Sequence, residues 1–237
     1  MCANFTPTRG ERLFQQLGGG LPDMMPYKDE CYPGYSAPLI RRATDNSNTY
    51  SRQIDIATFG LVPSWAALKL ARVTYNARIE TVATKPAYRA AWRRSQFCVI
   101  PIENFFEPSY ETGVAERWQI SHADGLPLAV AGLWEWCSHG GNNNQAFFSF
   151  TMLTMNADQH PLMRRFHRPE DEKRMIVLLE PNQIDPWLQA SYETAFNFLH
   201  HYDADRLIAR PAPKLARVKK NTAMQQMNVT PSLFDFD

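Results

Sequence analysis

Nothing in these 237 residues is long and apolar enough to span a membrane, and Arg9, Glu11 and Arg12 near the start have no apolar core behind them. A secretory signal peptide is therefore not expected, and the cytoplasm is the expected compartment. Cysteine is scarce. Cys2, Cys31, Cys98 and Cys137 are widely spaced with no Cys-x-x-Cys pair, which argues against a zinc site or a disulfide framework. His160 and His167 lie seven apart, but Pro161 intervenes and no third ligand is evident, so neither a metal nor a cofactor is expected. No P-loop or dinucleotide fingerprint is present, which leaves nucleotide-driven chemistry without support. Internal repeats and coiled-coil heptads are also missing. A net charge of +1 gives no global pull towards polyanions.

What remains is an ordinary globular composition, 44% hydrophobic and 21% charged. The length suits one substantial core, so a single domain over residues 1–220 with a tail over 221–237 is expected, and nothing suggests an obligate oligomer. Basic residues gather locally at Arg89, Arg93 and Arg94, at Arg164, Arg165 and Arg168, and at Arg217, Lys219 and Lys220. Such clusters on a near-neutral chain fit either a phosphate-lined groove or solvated helix faces.

Cys98 and Cys137 lie in apolar runs and read as packing residues. Cys2 is different, because it follows the initiator methionine. A small second residue is the usual condition for removing that methionine, which would expose an amine and a thiol on neighbouring carbons. An α-amine titrates at roughly 7.7–8.0 and a free thiol near about 8.5, so both start near their working states. Such a residue traps aldehydes: the amine condenses to a Schiff base and the thiol closes a five-membered thiazolidine. The alternative is a cysteine without a role in a frayed terminus.

Strands are expected at Ile54–Leu61, Phe97–Glu107, Trp118–His122, Leu128–Trp136, Phe147–Met155 and Met175–Leu179, all β-branched or aromatic and bounded by turn residues. Gly140–Asn144 reads as a hairpin loop. Helices are expected at Gly10–Gln16, Ser64–Leu70, Thr84–Arg94 and Ile184–Ala190. The order gives a strand-rich α+β fold, a curved sheet or small β-barrel with packed helices, rather than an alternating βαβ chain. From Arg210 onward the composition turns to Pro, Lys, Asn and Gln, a partly ordered tail.

Four local patterns could carry chemistry. In Tyr75–Thr81, an extended backbone would put Asn76 and Arg78 on one face, an orienting amide beside a phosphate-binding guanidinium; otherwise Asn76 caps a helix. Glu107 follows Phe105 and Phe106 at the end of an apolar strand. It is either a carboxyl with a raised pKa that shuttles protons or a surface residue. His167 sits among Arg164, Arg165 and Arg168, a setting that disfavours its protonated form and suits a neutral relay, or marks a polar surface patch. Gly60–Trp65 ends in an aromatic that either stacks on a base or enters the core.

The order of these motifs resembles the SRAP family of abasic-site processing proteins from Cys2 to about Val218: Met1–Cys2, Gly60–Trp65, Asn76–Thr81, Glu107, Ala131–Trp134 and His167. That resemblance implies a partner, single-stranded DNA containing an abasic site, and a covalent thiazolidine link formed by Cys2 once Met1 is gone. It implies that Asn76 holds Cys2 and the opened sugar, Glu107 moves protons, and His167 assists ring opening. Arg78, Trp65, Asn4, Pro38 and Arg168 would contact DNA. Strand incision through the Schiff base and self-processing peptidase activity would accompany a largely single-turnover reaction, at the nucleoid of a bacterial or viral host.

Three departures stand out. Asn4 replaces the arginine of the family's Met-Cys-Gly-Arg-Phe opening. Pro108 follows Glu107 in place of an aromatic. The family's His-x-Arg-Met-Pro run is stretched, with Glu170–Lys173 between His167–Arg168–Pro169 and Arg174–Met175, so His160 competes with His167 for the catalytic position. The final Thr230–Asp237 stretch looks like a degenerate sliding-clamp peptide, with Leu233 and Phe234 as its apolar anchors. Two other classes remain open: an N-terminal-nucleophile amidohydrolase using Cys2, and a non-covalent single-strand-binding module.

Overall fold

The computed structural model describes residues 2–17, 27–43, 52–138 and 145–214. In chain order the strands are β1 (Phe5–Pro7), β2 (Ser36–Arg42), β3 (Arg52–Phe59), β4 (Asn76–Arg78), β5 (Phe97–Ser109) and β6 (Glu116–His122). Then follow β7 (Leu128–Cys137), β8 (Phe147–Asn156), β9 (Arg174–Ile176), β10 (Leu178–Leu179) and β11 (Leu207–Pro211). Three α-helices intervene: α1 (Gly10–Leu17), α2 (Arg89–Arg93) and α3 (Ile184–Gln189). Five strands close into a barrel in the order β5, β7, β8, β3, β2, with β2 returning to β5 through Ile40 and Arg41 opposite Val99 and Cys98. The β3–β8 pair is parallel and the other four are antiparallel. The α+β barrel expected from the sequence is the fold.

Strand β5 explains much of the architecture. Its first half, Phe97–Ile102, pairs with β7 in the barrel wall. Its second half continues past β7 and pairs with β6 and with the N-terminal strand β1. Successive residues of the first half serve two cores, since strand side chains alternate faces. Cys98, Ile100 and Ile102 pack with Phe5, Phe59, Phe105 and Phe150. Phe97 and Val99 pack on the other side with Trp92 of α2 and Trp187 of α3. Both faces are covered, which is why the run is continuously apolar rather than alternating. The Trp187 indole donates to the Cys98 carbonyl at 2.9 Å and fixes α3 against β5. Cys98 and Cys137 are buried, as their apolar contexts indicated.

The differences from the sequence expectation have local causes. The helix expected over Thr84–Arg94 is reduced to α2, because Pro86 lacks an amide hydrogen and disfavours helical backbone at Lys85. Ser64–Leu70 gives a turn and then a 3-10 helix at Leu68–Arg72, with the backbone extended at Ala67. The single strand expected over Met175–Leu179 is two, since the chain pairs with β8 through Met175 and then with β7 through Leu178. β1, β2, β4 and β11 were not expected; β1 and β4 have only three residues each, and β2 contains Pro38. β11 pairs with β6, so order extends past Arg210. The Gly140–Asn144 loop, the Arg217–Lys220 cluster and the 221–237 tail with Leu233 and Phe234 lie outside the described residues. Among those described, no helix is long and apolar enough to cross a membrane.

Gly60 directly follows β3 with φ +118°, and a Cβ there would lie 2.0 Å from the carbonyl oxygen of Ala71. That close approach lets the Leu68–Arg72 turn pack against the chain just past β3. Gly60→Ala combines a backbone strain of about 1–3 kcal/mol with a backbone clash. It should lower unfolding free energy by at least about 2 kcal/mol in a denaturant titration.

Candidate active site

The N-terminal segment is held from two sides. Phe5 lies opposite Phe105 of β5, and the Phe106 amide donates to the Asn4 carbonyl at 3.0 Å. On the other side Phe5 and Cys31 exchange backbone hydrogen bonds of 3.3 and 2.8 Å. This pairing brings Cys2 to the place where β5 delivers Glu107. Cys2 is 1% exposed, so it is not part of a frayed end. Burial, with the negative charge of Glu107 second, holds its thiol well above the usual cysteine range.

Asn76, the first residue of β4, fixes Cys2 directly. Its Nδ2 donates to the Cys2 carbonyl at 3.0 Å and to the Tyr75 carbonyl at 2.8 Å, across 74 residues of chain in the first case. Asn76 is therefore no helix cap. Two carbonyl acceptors fix the amide's orientation, and its Oδ1 is buried without a partner among the described residues. The Tyr88 hydroxyl donates to the Asn76 carbonyl at 3.0 Å and pins β4 from behind.

Glu107 is buried, not a surface residue at a strand end. Burial raises its pKa to about 7, against the pull of the positive N-terminal amine. His167 Nδ1 stands 3.6 Å from Glu107 Oε2, a spacing that a small rotation turns into a hydrogen bond. The other nitrogen, Nε2, lies 3.1 Å from the Arg174 carbonyl. A carbonyl only accepts, so Nε2 carries the hydrogen and neutral His167 presents a lone pair at Nδ1. Burial, then the N-terminal amine, lowers the His167 pKa to about 4. The direction matches the sequence expectation, but the cause is desolvation rather than the neighbouring arginines. His167 also adopts φ +64°, left-handed backbone that costs a side chain about 1–3 kcal/mol, held by its amide donating to the Pro108 carbonyl at 2.8 Å.

The structure separates the two histidines. His160 Nε2 lies 2.9 Å from the Tyr202 carbonyl, while Nδ1 accepts from the Leu162 and Met163 amides at 3.2 and 3.0 Å. It shapes the turn before His167, and no polar atom of its ring is left over for chemistry.

The expected DNA-contacting residues are dispersed. Trp65 is 69% exposed rather than part of the core. Arg78 is half-exposed at the end of β4 and pairs with Glu172 at 2.8 Å. Arg168 is exposed and lies over the Tyr110 ring at 5.9 Å. Pro38 is buried in β2 opposite Ile56, where its surface is spent on packing. Asn4 is buried, donating to the Cys31 carbonyl at 3.3 Å and accepting from Arg117 Nη2 at 2.8 Å. Of the basic clusters, Arg94 is paired with Glu135 and Arg165 makes a two-pronged pair with Glu111.

Three residues of the neighbourhood were given no role in the sequence reading. Arg117 lies 3.4 Å over the Phe106 ring and bonds Asn4 and Glu30, placing a guanidinium where Asn4 has none. Arg174 is buried and paired with both Glu80 oxygens at 2.8 and 3.0 Å, and its carbonyl orients His167. Tyr75 has its phenol pKa raised by burial and by the charges of Cys2 and Glu107. An arginine at the head of the apolar run Met175–Leu179 was the available signal for Arg174. Arg117 and Tyr75 gave none.

The residue pattern matches known proteins over nearly its whole length. The model of the family described as SOS response associated peptidase (SRAP) matches residues 1–219. An abasic site processing protein of Bacillus subtilis, YoaM, is 28% identical over 211 residues, covering 85% of this chain and 87% of its own. The abasic site processing protein YoqW of Bacillus phage SPbeta is 28% identical over 94% of this chain and 97% of its own. A crystal structure of a protein from Bordetella bronchiseptica superimposes with a TM-score of 0.78 at 31% identity, covering 90% of this chain and all of that one.

The two shifted groups act oppositely on stability. Glu107, raised from 4.5 to about 7, stabilises the fold below about 4.5 and that contribution is lost as pH rises through 7. His167, lowered from 6.5 to about 4, contributes above 6.5 and loses it as pH falls through 4. Glu107→Gln removes only the first. Relative to wild type, the variant should gain up to about 3 kcal/mol between pH 4.5 and 8, measured by denaturant unfolding at both ends.

Proposed function

This chain belongs to the SOS response associated peptidase family, and from that premise we propose that it captures abasic sites in single-stranded DNA through Cys2. The observation that carries the reading is the Asn76–Cys2 hydrogen bond, which holds the chain's first residues beside a buried carboxyl that titrates near neutrality. The names of the Bacillus relatives support the lesion as target.

With Met1 removed, the Cys2 amine adds to the C1′ aldehyde of the ring-opened sugar to give a carbinolamine. Loss of water leaves an iminium. The thiol then adds to that carbon, its proton passes to a base, and the nitrogen keeps its hydrogen in a thiazolidine. The net change is aldehyde plus aminothiol to thiazolidine plus water. Glu107, its pKa raised by burial, can give a proton to the departing water and take one from the thiol. His167, neutral with its lone pair towards Glu107, serves as the hydrogen-bond partner that steadies this proton and assists sugar ring opening. Asn76 Oδ1 is the acceptor for the freed amine or a sugar hydroxyl, since a buried acceptor left unpaired costs about 1–3 kcal/mol. The high thiol pKa favours amine attack first, because the buried thiolate is disfavoured until the iminium forms.

Around this centre, exposed Trp65 offers a stacking face for a neighbouring base, and Arg78 and Arg168 offer phosphate contacts. Arg117, which bonds Asn4 and pairs with Glu30, sets a guanidinium beside Asn4. The Schiff base also permits elimination at the neighbouring phosphate, so strand incision competes with ring closure.

Incubation with a single-stranded oligonucleotide bearing one abasic site should give a gel-stable adduct. Cys2→Ala keeps a terminal amine but no thiol, so its adduct should survive denaturation only after borohydride reduction. No adduct with wild type lacking Met1 would overturn the proposal. Glu107→Gln should slow adduct formation by about 10²-fold or more while leaving oligonucleotide binding nearly intact; equal loss of both would make Glu107 structural. Trp65→Ala should weaken binding about tenfold with little change in melting temperature, measured by fluorescence anisotropy and thermal unfolding.

A further inference from the structure

The stretch that lengthens the run after His167 carries three acids, Glu170, Asp171 and Glu172. One of them is built into the site's surroundings. Glu172 Oε2 accepts from Arg78 Nη1 at 2.8 Å, while its Oε1 accepts from Arg174 Nη1 at 2.8 Å and from Asn156 Nδ2 at 3.2 Å. The segment around it is tied down. The Lys173 amide donates to Asp158 Oδ1 at 2.9 Å, and the Ala157 amide donates to the Lys173 carbonyl at 2.7 Å. Arg78 is two residues beyond Asn76 on β4, about 7 Å along the strand from the residue that holds Cys2.

A carboxylate with its two oxygens shared between guanidinium groups presents the charge and acceptor geometry of a phosphate. We infer that Glu172 is a competing anion that occupies the phosphate position on Arg78, so that a DNA backbone must displace it to engage the groove. The inference rests on the proposed role of Arg78 as a phosphate contact. Displacement penalises every strand, intact or damaged, by the same amount. Intact DNA then dissociates, whereas an abasic strand is retained by the bond to Cys2. Occupancy on undamaged strands falls and adducts still accumulate.

Glu172 can leave without disturbing the centre. Arg174 keeps both Glu80 oxygens and the Thr154 carbonyl, 2.8 Å from its Nη2, so its own carbonyl stays on His167. Asn76 is held independently by Cys2, Tyr75 and Tyr88.

The test is a double-mutant cycle on a lesion-free single-stranded oligonucleotide, read by anisotropy across a salt series, with wild type, Glu172→Gln, Arg78→Ala and the double variant. Glu172→Gln should bind about threefold to fivefold tighter at low salt. Its salt slope should steepen by about 0.7, because in wild type the displaced Glu172 takes up a cation and offsets the one released at the Arg78–phosphate contact. Both changes should vanish in the Arg78→Ala background. An unchanged affinity, or a gain that persists without Arg78, overturns the inference, the latter by showing a general charge effect. Adduct formation on an abasic oligonucleotide is measured in parallel. Its absence in wild type overturns covalent capture, while the binding cycle on intact DNA still decides the role of Glu172.

Discussion

The antiparallel pairing of the N-terminal residues with the outer half of β5 is the constraint on which the rest depends. A chain end ordinarily frays, because nothing repays the entropy of ordering it. Here Phe5 is fully buried between Phe105, Phe59 and the Cys31 bridge, and its ring meets Phe59 edge-on at 5.2 Å. That apolar anchor orders the three residues before it. Cys2 therefore reaches the start of β4, where Asn76 donates to its carbonyl, and faces the carboxyl that β5 delivers two residues after Phe105. A barrel strand that stopped at the wall would have left both Cys2 and Glu107 in solvent.

Burial then sets the chemistry. Glu107 and His167 both lose hydration, and desolvation disfavours the charged form of each. The acid moves up to about 7 and the base down to about 4, so the pair presents a protonatable carboxyl against a neutral imidazole near neutrality. Backbone geometry makes that pairing directional. The Arg174 carbonyl claims the Nε2 hydrogen, and the strained φ of His167 turns the ring towards β5. Arg174 in turn is held by Glu80, a residue of the same segment as Asn76, which links the two sides of the site through one guanidinium. The acidic segment after His167 uses that guanidinium too, and extends to Arg78.

The sequence determined which residues were candidates. Position 2, the Asn-Ala-Arg run, the glutamate after two phenylalanines and the His-Arg step are legible because they are local: each needs only chain order and side-chain chemistry. The barrel strands were legible for a related reason. A strand buried on both faces must be apolar throughout, and Phe97–Ile102 is. Short strands such as β1 and β4 were invisible, since three residues carry no period and their pairing depends on partners far along the chain. Likewise the sequence left Asn76, Glu107, Trp65 and His167 each with two readings.

Only the tertiary structure could rule out the cap, surface and core alternatives, because burial and hydrogen-bond partners are properties of distant segments brought together. It buried Glu107, exposed Trp65, gave Asn76 the Cys2 carbonyl and gave His160 to the Tyr202 carbonyl rather than to the site. It also set a guanidinium from a distant strand beside Asn4. Asn4 lacks a guanidinium, yet Arg117 brings one from β6, 113 residues away in the chain, to 2.8 Å. Residue type and order fixed what chemistry was available; the desolvation and distances that activate it arise only when β1, β4, β5 and the His167 turn pack against one another.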